Sequence, residues 1–360
     1  MDRLALLKEL TLLPGISGFE YFIKDFMIEQ LGELAPYEQD RLGQITFTMK
    51  GQADNPKILF IAHQDEIGFM VADVMDSGLI QFHPIGGWNK YTLMSSPVEI
   101  ITQSGEKHAG VFGSMPVHFI RNRKDTPPEM SDMFIDIGAK SRKDAFENFS
   151  INIGDPIIPI PYFYYEERNR RIISKAFDDR AGIAALIELG KALKDTPHPN
   201  TVYLSGSVQE EVGGSGSRTL ARTIDADICV VLEGAPADDI PGIPFRAQTC
   251  VDKGAHLRVY DPSMIGDPKL KDMFIQLAKK HKIPLQVTLR RGGGTDGRHI
   301  QTSAHGIPSI VCGVPVRYAH SHNSMISLDD FDALIDLLVE FVKVYKLDHS
   351  PQRTQRAQRK

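Results

Sequence analysis

Continuous apolar runs and amphipathic stretches alternate toward both ends of the chain. Residues 176–194 and 327–347 place apolar side chains at helical spacing, which predicts helices that pack against a sheet. Four runs are rich in Val, Ile and Leu, as expected of strands buried on both faces of a parallel sheet: 57–62 (KILFIA), 201–208 (TVYLSGSV), 227–234 (DICVVLEG) and 309–316 (SIVCGVPV). The pattern predicts an α/β fold, with a mixed, mostly parallel sheet and helices on both faces.

The middle of the chain has a different texture. Between residues 67 and 161, short β-rich segments are separated by Gly, Pro, Asn and Asp, and helical periodicity is scarce: 68–74 (GFMVADV), 97–102 (PVEIIT), 108–113 (HAGVFG) and 133–138 (MFIDIG). We interpret this stretch as an inserted all-β domain, a small barrel. The α/β domain is then discontinuous and comprises residues 1–66 and 162–360.

The two ends of the chain carry local signals. The first 20 residues contain Asp2 and Glu9 within an apolar stretch that stops at Pro14, so they predict an amphipathic helix and not a secretory signal. Ser327 followed by Asp330 has the spacing of a capping box at the start of the last helix. The basic residues at 349–360 predict a disordered tail.

Composition excludes several classes of partner. The 360 residues have a formal net charge of −5, which gives no electrostatic basis for binding nucleic acid. No run of about 18 apolar residues occurs, so we expect no membrane span. Three cysteines do not form a disulfide framework and fit a reducing compartment. We therefore expect a cytoplasmic protein.

Potential metal ligands stand where the predicted strands end. His63 follows the first buried run, and the other candidates follow the remaining runs or open the helix at 176–194: Glu210, Glu211, Glu233, His320, Asp178 and Asp179. Because ligands of open α/β sheets bind beyond the carboxyl ends of the strands, these groups can converge. Each alone has an ordinary explanation, since a single His is often structural and an Asp pair often caps a helix. Their coincidence favours a metal site.

Imidazole and carboxylate ligands suit Zn²⁺, Co²⁺ and Mn²⁺. Two imidazoles and three carboxylates match a site for two ions in which one carboxylate bridges, and such a pair can activate water and polarise a carbonyl. Because Glu210 and Glu211 point in different directions, one can bind metal while the other takes the proton of the water. Asp65 is placed to accept the other imidazole proton of His63 and to fix its tautomer.

Three loops are candidates for the wall of a substrate pocket, namely 234–242, 250–258 and 286–298. The Gly-rich segment 292–297 (GGGTDG) lacks the spacing of a phosphate-binding loop, so we interpret it as backbone that approaches the site. Lys253, Arg290 and Arg291 could favour an acidic substrate side chain, but the expectation for such residues is solvated surface charge.

Six segments together resemble the tetrahedral (TET) aminopeptidases, which include glutamyl, deblocking and fructose-operon-associated peptidases. They occur in the family's order along nearly the whole chain: AHQDEIGFMV, KAFDDRAG, QEEVGGSG, LEGAPADDIPG, GGGTD and RYAHS. The resemblance implies a catalytic domain interrupted by a PDZ-like or barrel dimerisation domain. It also implies dimers that assemble into a hollow dodecamer.

The resemblance assigns roles to the candidate residues. Asp178 would bridge two ions, His63 and Glu233 would complete one site, and Glu211 and His320 would complete the other. Glu210 would be the general base, and Asp65 would orient His63. Many family members carry Asp where this chain has Glu233, so metal spacing or preference can differ here.

The leading hypothesis is a metal-dependent aminopeptidase that removes N-terminal residues from short peptides and binds two divalent ions per subunit. The candidate ions are Zn²⁺ and Co²⁺ first, and Mn²⁺ after them. Two alternatives stay open. A related amidohydrolase or deacylase would use the same centre on a blocked substrate, and a requirement for a free α-amine distinguishes it. A non-catalytic oligomeric paralogue would keep the ligands without turnover, and replacing Glu210 by Gln would leave its function intact.

Overall fold

The computed structural model describes residues 1–119, 128–303 and 305–346. The predicted tail at 349–360 lies outside these residues. The strands in chain order are β1 Tyr37–Gln39, β2 Ile45–Met49, β3 Lys57–His63, β4 Gly68–Val74, β5 Ile80–Ile85, β6 Pro97–Ile101, β7 Lys107–Phe112, β8 Ile135–Asp136, β9 Pro156–Pro159, β10 Phe163–Glu166, β11 Arg171–Ser174, β12 Thr201–Ser207, β13 Ile228–Pro236, β14 Ala255–Asp261, β15 Met264–Ile265, β16 Leu285–Leu289, β17 Ser309–Val316 and β18 Ser324–Ser327. The helices are α1 Arg3–Leu12, α2 Tyr21–Leu31, α3 Arg142–Glu147, α4 Phe177–Lys194, α5 Ser215–Leu220, α6 Pro268–His281, α7 Gly297–Ile300 and α8 Leu328–Val344.

The largest sheet has the strand order β1-β2-β12-β3-β13-β17-β14-β15, and β16 pairs with β14. Its four central strands, β12, β3, β13 and β17, are parallel. Toward the edges the pairs β2–β12 and β17–β14 are antiparallel. The predicted α/β fold with a mixed sheet is confirmed. Its centre is parallel throughout, and toward the edges antiparallel pairs occur beside the parallel pair β14–β16. The four apolar runs of the sequence are these four central strands.

Helices cover both faces of the sheet, as predicted. Strand β3 shows why, because its side chains alternate between two separate apolar cores. Phe60 points into the core formed with α1, α4, α6 and α8. Leu59 and Ile61 point into the core formed with Leu220 of α5 and Ile300 of α7.

The middle segment forms a closed antiparallel barrel with the strand order β4-β5-β8-β7-β6-β9. It has an apolar core of its own, in which Phe69 contacts the rings of Phe82, Trp88 and Phe112. The barrel that the sequence predicted is therefore present, built from the short β-rich segments. Strands β10 and β11, which follow the barrel in the chain, form a further small sheet with β18.

The predicted capping box at the last helix is wrong. Helix α8 does begin after Ser327, but the side chain of Ser327 makes no capping hydrogen bond. The carboxylate of Asp330 instead accepts the backbone N–H groups of Asp252 and Gly254 at 2.7 and 2.6 Å. The local pattern assigned the Asp330 carboxylate to the start of α8. In the structure it binds backbone groups that are 76 to 78 residues away in sequence.

The cysteines behave as the sequence predicted. Cys229 and Cys312 are buried within strands, and all three thiols are free. Among the helices of the described residues, none combines the length and hydropathy that a membrane crossing requires.

Candidate metal centre

The candidate ligands meet at the carboxyl edge of the parallel strands. His63 is the last residue of β3, and Glu233 lies within β13, three residues before its end. Glu210 and Glu211 lie in the turn after β12, and His320 follows β17. The four strands are neighbours in the sheet, so groups spread over more than 250 residues of sequence come together here.

Asp178 belongs to α4 and reaches the centre from a break in the first turn of this helix. Asp178 and Asp179 have non-helical backbone angles there, and the peptide bond between them is cis. This turn lies directly against β13, because a Cβ atom at Gly234 would come within 2.4 Å of the Phe177 carbonyl oxygen and 2.8 Å of the Asp178 backbone. A glycine at 234 is therefore needed for Asp178 to reach Glu233.

The carboxylate of Asp178 lies between the two imidazoles. Its Oδ1 is 3.1 Å from Nε2 of His63, and its Oδ2 is 3.3 Å from Nε2 of His320. Oε2 of Glu233 is 4.0 Å from Nε2 of His63, and Oε1 of Glu211 is 3.3 Å from Nε2 of His320. The geometry thus defines two groups with metal-ligand spacing that share Asp178: His63, Asp178 and Glu233, and Asp178, Glu211 and His320.

The charges of this cluster fit bound cations. Burial raises the pKa of Glu233 well above its ordinary value, and the negative charges of Asp178 and Asp179 raise it further. Burial also raises the pKa of Glu210, and although His63 lowers it, Asp296 and Glu211 add to the increase. Burial lowers the pKa of His320, but its hydrogen bonds to Asp178 and Glu211 outweigh this and raise the pKa to about 11. Buried carboxylates that repel one another around two imidazoles form a donor set that divalent ions would neutralise.

Asp65 lies behind the centre, but its contacts differ in part from the prediction. Nδ1 of His63 is 3.0 Å from the backbone carbonyl oxygen of Asp65, whereas the carboxylate oxygen is 3.5 Å away, longer than a hydrogen bond. The carboxylate instead accepts the backbone N–H groups of Glu210 and Glu211 at 3.0 and 3.1 Å and the Ser17 hydroxyl at 2.6 Å. Asp65 therefore fixes the turn that carries both glutamates.

Asp179 takes the capping role that an Asp pair at a helix start suggests. Its carboxylate accepts the N–H of Gly182 at 2.9 Å and the N–H of His63 at 3.2 Å. Asp179 thus caps the part of α4 that follows the break, while Asp178 faces the imidazoles.

Sequence reasoning missed a buried ionic cluster beneath the centre. Nζ of Lys175 is 2.5 and 2.6 Å from the two carboxylate oxygens of Glu66, and Nη2 of Arg180 is 3.2 Å from one of them. All three side chains are at most 2% exposed. Asp296, from the Gly-rich motif, was also missed as a buried carboxylate near the centre, where it pairs with the Ser207 hydroxyl at the end of β12. The Gly-rich motif was its only sequence signal.

A cavity of about 1080 Å³ opens onto the centre. The predicted loops form much of its wall, including Pro236, Asp238 and the backbone of Gly292 to Gly294. Five arginines line it as well: Arg246, Arg258, Arg290, Arg291 and Arg298. The expectation of solvated surface charge is therefore wrong for Arg290, which is partly buried in this wall. Arg291 and Lys253 are exposed, and Lys253 is not among the lining residues.

The fold and this centre define a class, an α/β protein with a carboxylate–imidazole centre at the edge of its sheet and a barrel inserted in the chain. The profile of the M42 glutamyl aminopeptidase family matches residues 43–337. The chain belongs to this family, and the resemblance to TET aminopeptidases is confirmed.

Three relatives show how far the similarity extends. A TET aminopeptidase from a marine sediment archaeon (Thaumarchaeota) is 40% identical, with a TM-score of 0.91, over 96% of this chain and 97% of its own. The glutamyl aminopeptidase of Lactococcus lactis is 33% identical over 92% of this chain and 93% of its own length. The TET1 peptidase of Pyrococcus horikoshii, described as assembling into a tetrahedron or a large octahedral shell, is 28% identical with a TM-score of 0.84, over 96% of this chain and all of its own.

Proposed function

We propose that this chain is a dinuclear metal-dependent aminopeptidase that removes N-terminal residues from short peptides. The observation that carries the proposal is the position of Asp178, whose two carboxylate oxygens each face one imidazole. His63, Asp178 and Glu233 would hold one ion, and Asp178, Glu211 and His320 the other. Zn²⁺, Co²⁺ and Mn²⁺ all suit these ligands. Such ions, when bound, supply Lewis acidity to a carbonyl oxygen and lower the pKa of water.

The protein's own groups carry the proton transfers in this proposal. Glu210 lines the cavity beside the ligands and makes no contribution to either ligand group. It takes a proton from the attacking water and returns it to the leaving amine. Asp65 is a positioning residue, because it holds the N–H groups of Glu210 and Glu211 and its carbonyl accepts the Nδ1 proton of His63.

A panel of aminoacyl p-nitroanilides, each with its N-acetylated counterpart, tests the proposal on protein reconstituted with Zn²⁺, Co²⁺ or Mn²⁺. We expect cleavage of the substrates with a free amine only. Cleavage of the acetylated substrates would favour the deacylase alternative. If no substrate of the panel is cleaved although two ions are bound per chain, the non-catalytic paralogue would be favoured.

We further propose that the cavity accepts an acidic N-terminal side chain. Arg290 is largely buried in the cavity wall, and its nearest carboxylate, Asp238, is 3.9 Å away, too far for a hydrogen bond. Nε of Arg258, in the same wall, is buried and has no hydrogen-bond partner among the described residues. With two divalent ions at the other end of the cavity, the wall would be strongly positive and would attract a carboxylate.

We also propose that the chain assembles into a homo-oligomer through its barrel, in dimers that build a tetrahedral dodecamer. The barrel segment exposes large apolar side chains that a monomer would leave in water, among them Tyr91, Val117 and Ile153, each more than 60% exposed. Mass photometry of the full chain should give a particle of about twelve subunits, and a monomeric particle would contradict this assembly. Location in the cytoplasm stays a prediction from the sequence.

A further inference from the structure

A segment of the barrel contacts His320, a member of the second ligand group (Asp178, Glu211 and His320). Residues 86–88 follow barrel strand β5, and the carbonyl oxygen of Gly87 is 2.7 Å from Nδ1 of His320. A carbonyl oxygen only accepts hydrogen bonds, so Nδ1 of His320 carries a proton. The other ring nitrogen, Nε2, therefore faces Asp178 and Glu211, at 3.3 Å from each. The ring is thus oriented by the backbone of the barrel.

A side chain at either glycine of this segment would press against a ligand residue. A Cβ atom at Gly87 would lie 3.3 Å from Nδ1 of His320. A Cβ atom at Gly86 would lie 3.2 Å from Oε2 of Glu211 and 2.4 Å from a side-chain carbon of Ile67. Gly86 also has a φ of +76°, a conformation that side chains other than glycine rarely adopt. The barrel therefore contacts two of the three ligands of this group.

The next residue, Trp88, anchors the segment to the barrel core. Its ring stacks on Phe69 at a centroid distance of 4.5 Å, and its Nε1–H donates to the carbonyl of Gly68 at 2.9 Å. On its other side it contacts the ring of His322, two residues after His320. The first ligand group is held differently, because the Nδ1 partner of His63 is the backbone carbonyl of Asp65, two residues further along the chain.

We propose that the barrel completes the metal centre: the Gly87 carbonyl holds the imidazole of His320 in place, so the affinity for the ion at Asp178, Glu211 and His320 depends on the position of the barrel. The affinity for the ion at His63, Asp178 and Glu233 does not depend on the position of the barrel. This inference rests on the dinuclear centre proposed above. Partners of this kind fix the orientation and tautomer of a metal-binding imidazole, and their loss typically weakens metal binding about 10- to 100-fold.

The test is a calorimetric Co²⁺ titration of the metal-free full-length protein and of the Gly87→Ala variant. Gly87 is outside the left-handed region of φ, so alanine adds only a methyl group against His320 and no backbone strain. We expect the dissociation constant of one of the two binding steps to rise about 10- to 100-fold. The dissociation constant of the other step should stay within about 3-fold of the wild-type value, which is the usual scatter for a site that is not coupled to the mutation. The weakened step should be the one that His320→Ala removes.

Two further variants separate this effect from a general loss of stability. Gly105→Ala adds the same methyl group to the same barrel, at a turn with φ of +83° and with no atom within 4 Å of the new Cβ. It should strain the barrel and leave both binding steps unchanged. Replacing Trp88 by its α-hydroxy acid converts the Gly87 carbonyl from an amide to an ester, a weaker acceptor of the same size. We expect a loss of about fivefold in the same step.

The inference is overturned if Gly87→Ala and the ester protein bind both ions as the wild type does, or if Gly105→Ala weakens binding as much as Gly87→Ala. Wild-type protein that binds fewer than two ions would instead overturn the proposed dinuclear centre, and this inference with it. The two failures are thus distinguished by the wild-type titration.

Discussion

Replacing Glu66 by Gln should strongly destabilise the fold, because this carboxylate is shared by two buried cations. Lys175 contacts both of its oxygens and Arg180 contacts one, and all three side chains are at most 2% exposed. The amide has nearly the same shape but no charge, so two cations would lose their common partner. Buried charges that are left without their partner cost about 3–5 kcal/mol of unfolding free energy, and this variant leaves two such cations.

Lys175→Met should cost less, although it deletes more atoms. It leaves Glu66 and Arg180 as a pair of opposite charges at 3.2 Å. The variant loses hydrogen bonds to Glu66 and to the carbonyl oxygen of Leu13, which is 3.0 Å from Nζ. We expect a loss of about 1–3 kcal/mol, the range for leaving buried polar groups without a partner.

The assay is urea unfolding of the metal-free protein, with Asp225→Asn as the matched control. Asp225 also pairs with a lysine, Lys57, but its side chain is 85% exposed, so its loss should change the unfolding free energy by about 0–1 kcal/mol. The reasoning is refuted if Glu66→Gln is no worse than Asp225→Asn, or if Lys175→Met is the more destabilising of the two core variants.

The same lysine gives a pH dependence with a defined sign. Burial lowers the pKa of Lys175 from 10.5 to about 8, even though Glu66 opposes the shift. In the unfolded chain the lysine keeps its proton up to about pH 10.5, so between pH 8 and 10.5 the unfolded state binds more protons. The unfolding free energy should therefore rise with pH in this window, by up to about 3 kcal/mol. Lys175→Met should lack this rise, and equal slopes for the two proteins would contradict the assignment.

Two further predictions concern the centre and the cavity. Gly234→Ala places a methyl group against the Phe177 carbonyl and the Asp178 backbone. Because Asp178 belongs to both ligand groups, this variant should weaken both Co²⁺-binding steps in calorimetry. Loss of only one step would argue against a shared Asp178. Arg290→Gln should lower kcat/KM about 10- to 100-fold for substrates with an acidic N-terminal residue, because this factor corresponds to the loss of one hydrogen bond to a charged group. The kcat/KM for neutral substrates should stay unchanged. The exposed Arg222→Gln is its control, and an equal loss on neutral substrates would refute the acidic preference.

The sequence predicted the centre of the fold well because the signals there are local. Each central strand is a largely buried run with Val, Ile or Leu in it, and a potential ligand stands within or shortly after each one, as at His63 and Glu233. The barrel was visible as short strands punctuated by turn residues. Helix α6 has a local signal that sequence reasoning missed, since Asp267 caps it and Pro268 occupies its first turn.

What the sequence did not reveal depends on contacts between distant segments. Asp330 has the spacing of a capping residue, yet it accepts N–H groups from a loop near Gly254. Lys175 and Glu66 are 109 positions apart, and nothing in their surroundings in the sequence marks them as partners. The hydrogen bond of His320 to Gly87 spans 233 positions and uses a backbone carbonyl, which no residue type encodes. Two of these pairs follow from packing within the α/β domain, and the third from the packing of the barrel against it.

The most direct test of the proposed mechanism compares Glu210→Gln with the wild type in two measurements on the same samples. Metal analysis after reconstitution gives the number of ions per chain, and hydrolysis of the preferred aminoacyl p-nitroanilide gives kcat. Our account predicts two ions per chain in both proteins and a fall in kcat of about 10²- to 10⁴-fold in the variant, the usual contribution of a general base. Unchanged turnover in the variant, or fewer than two ions in the wild type, would contradict it.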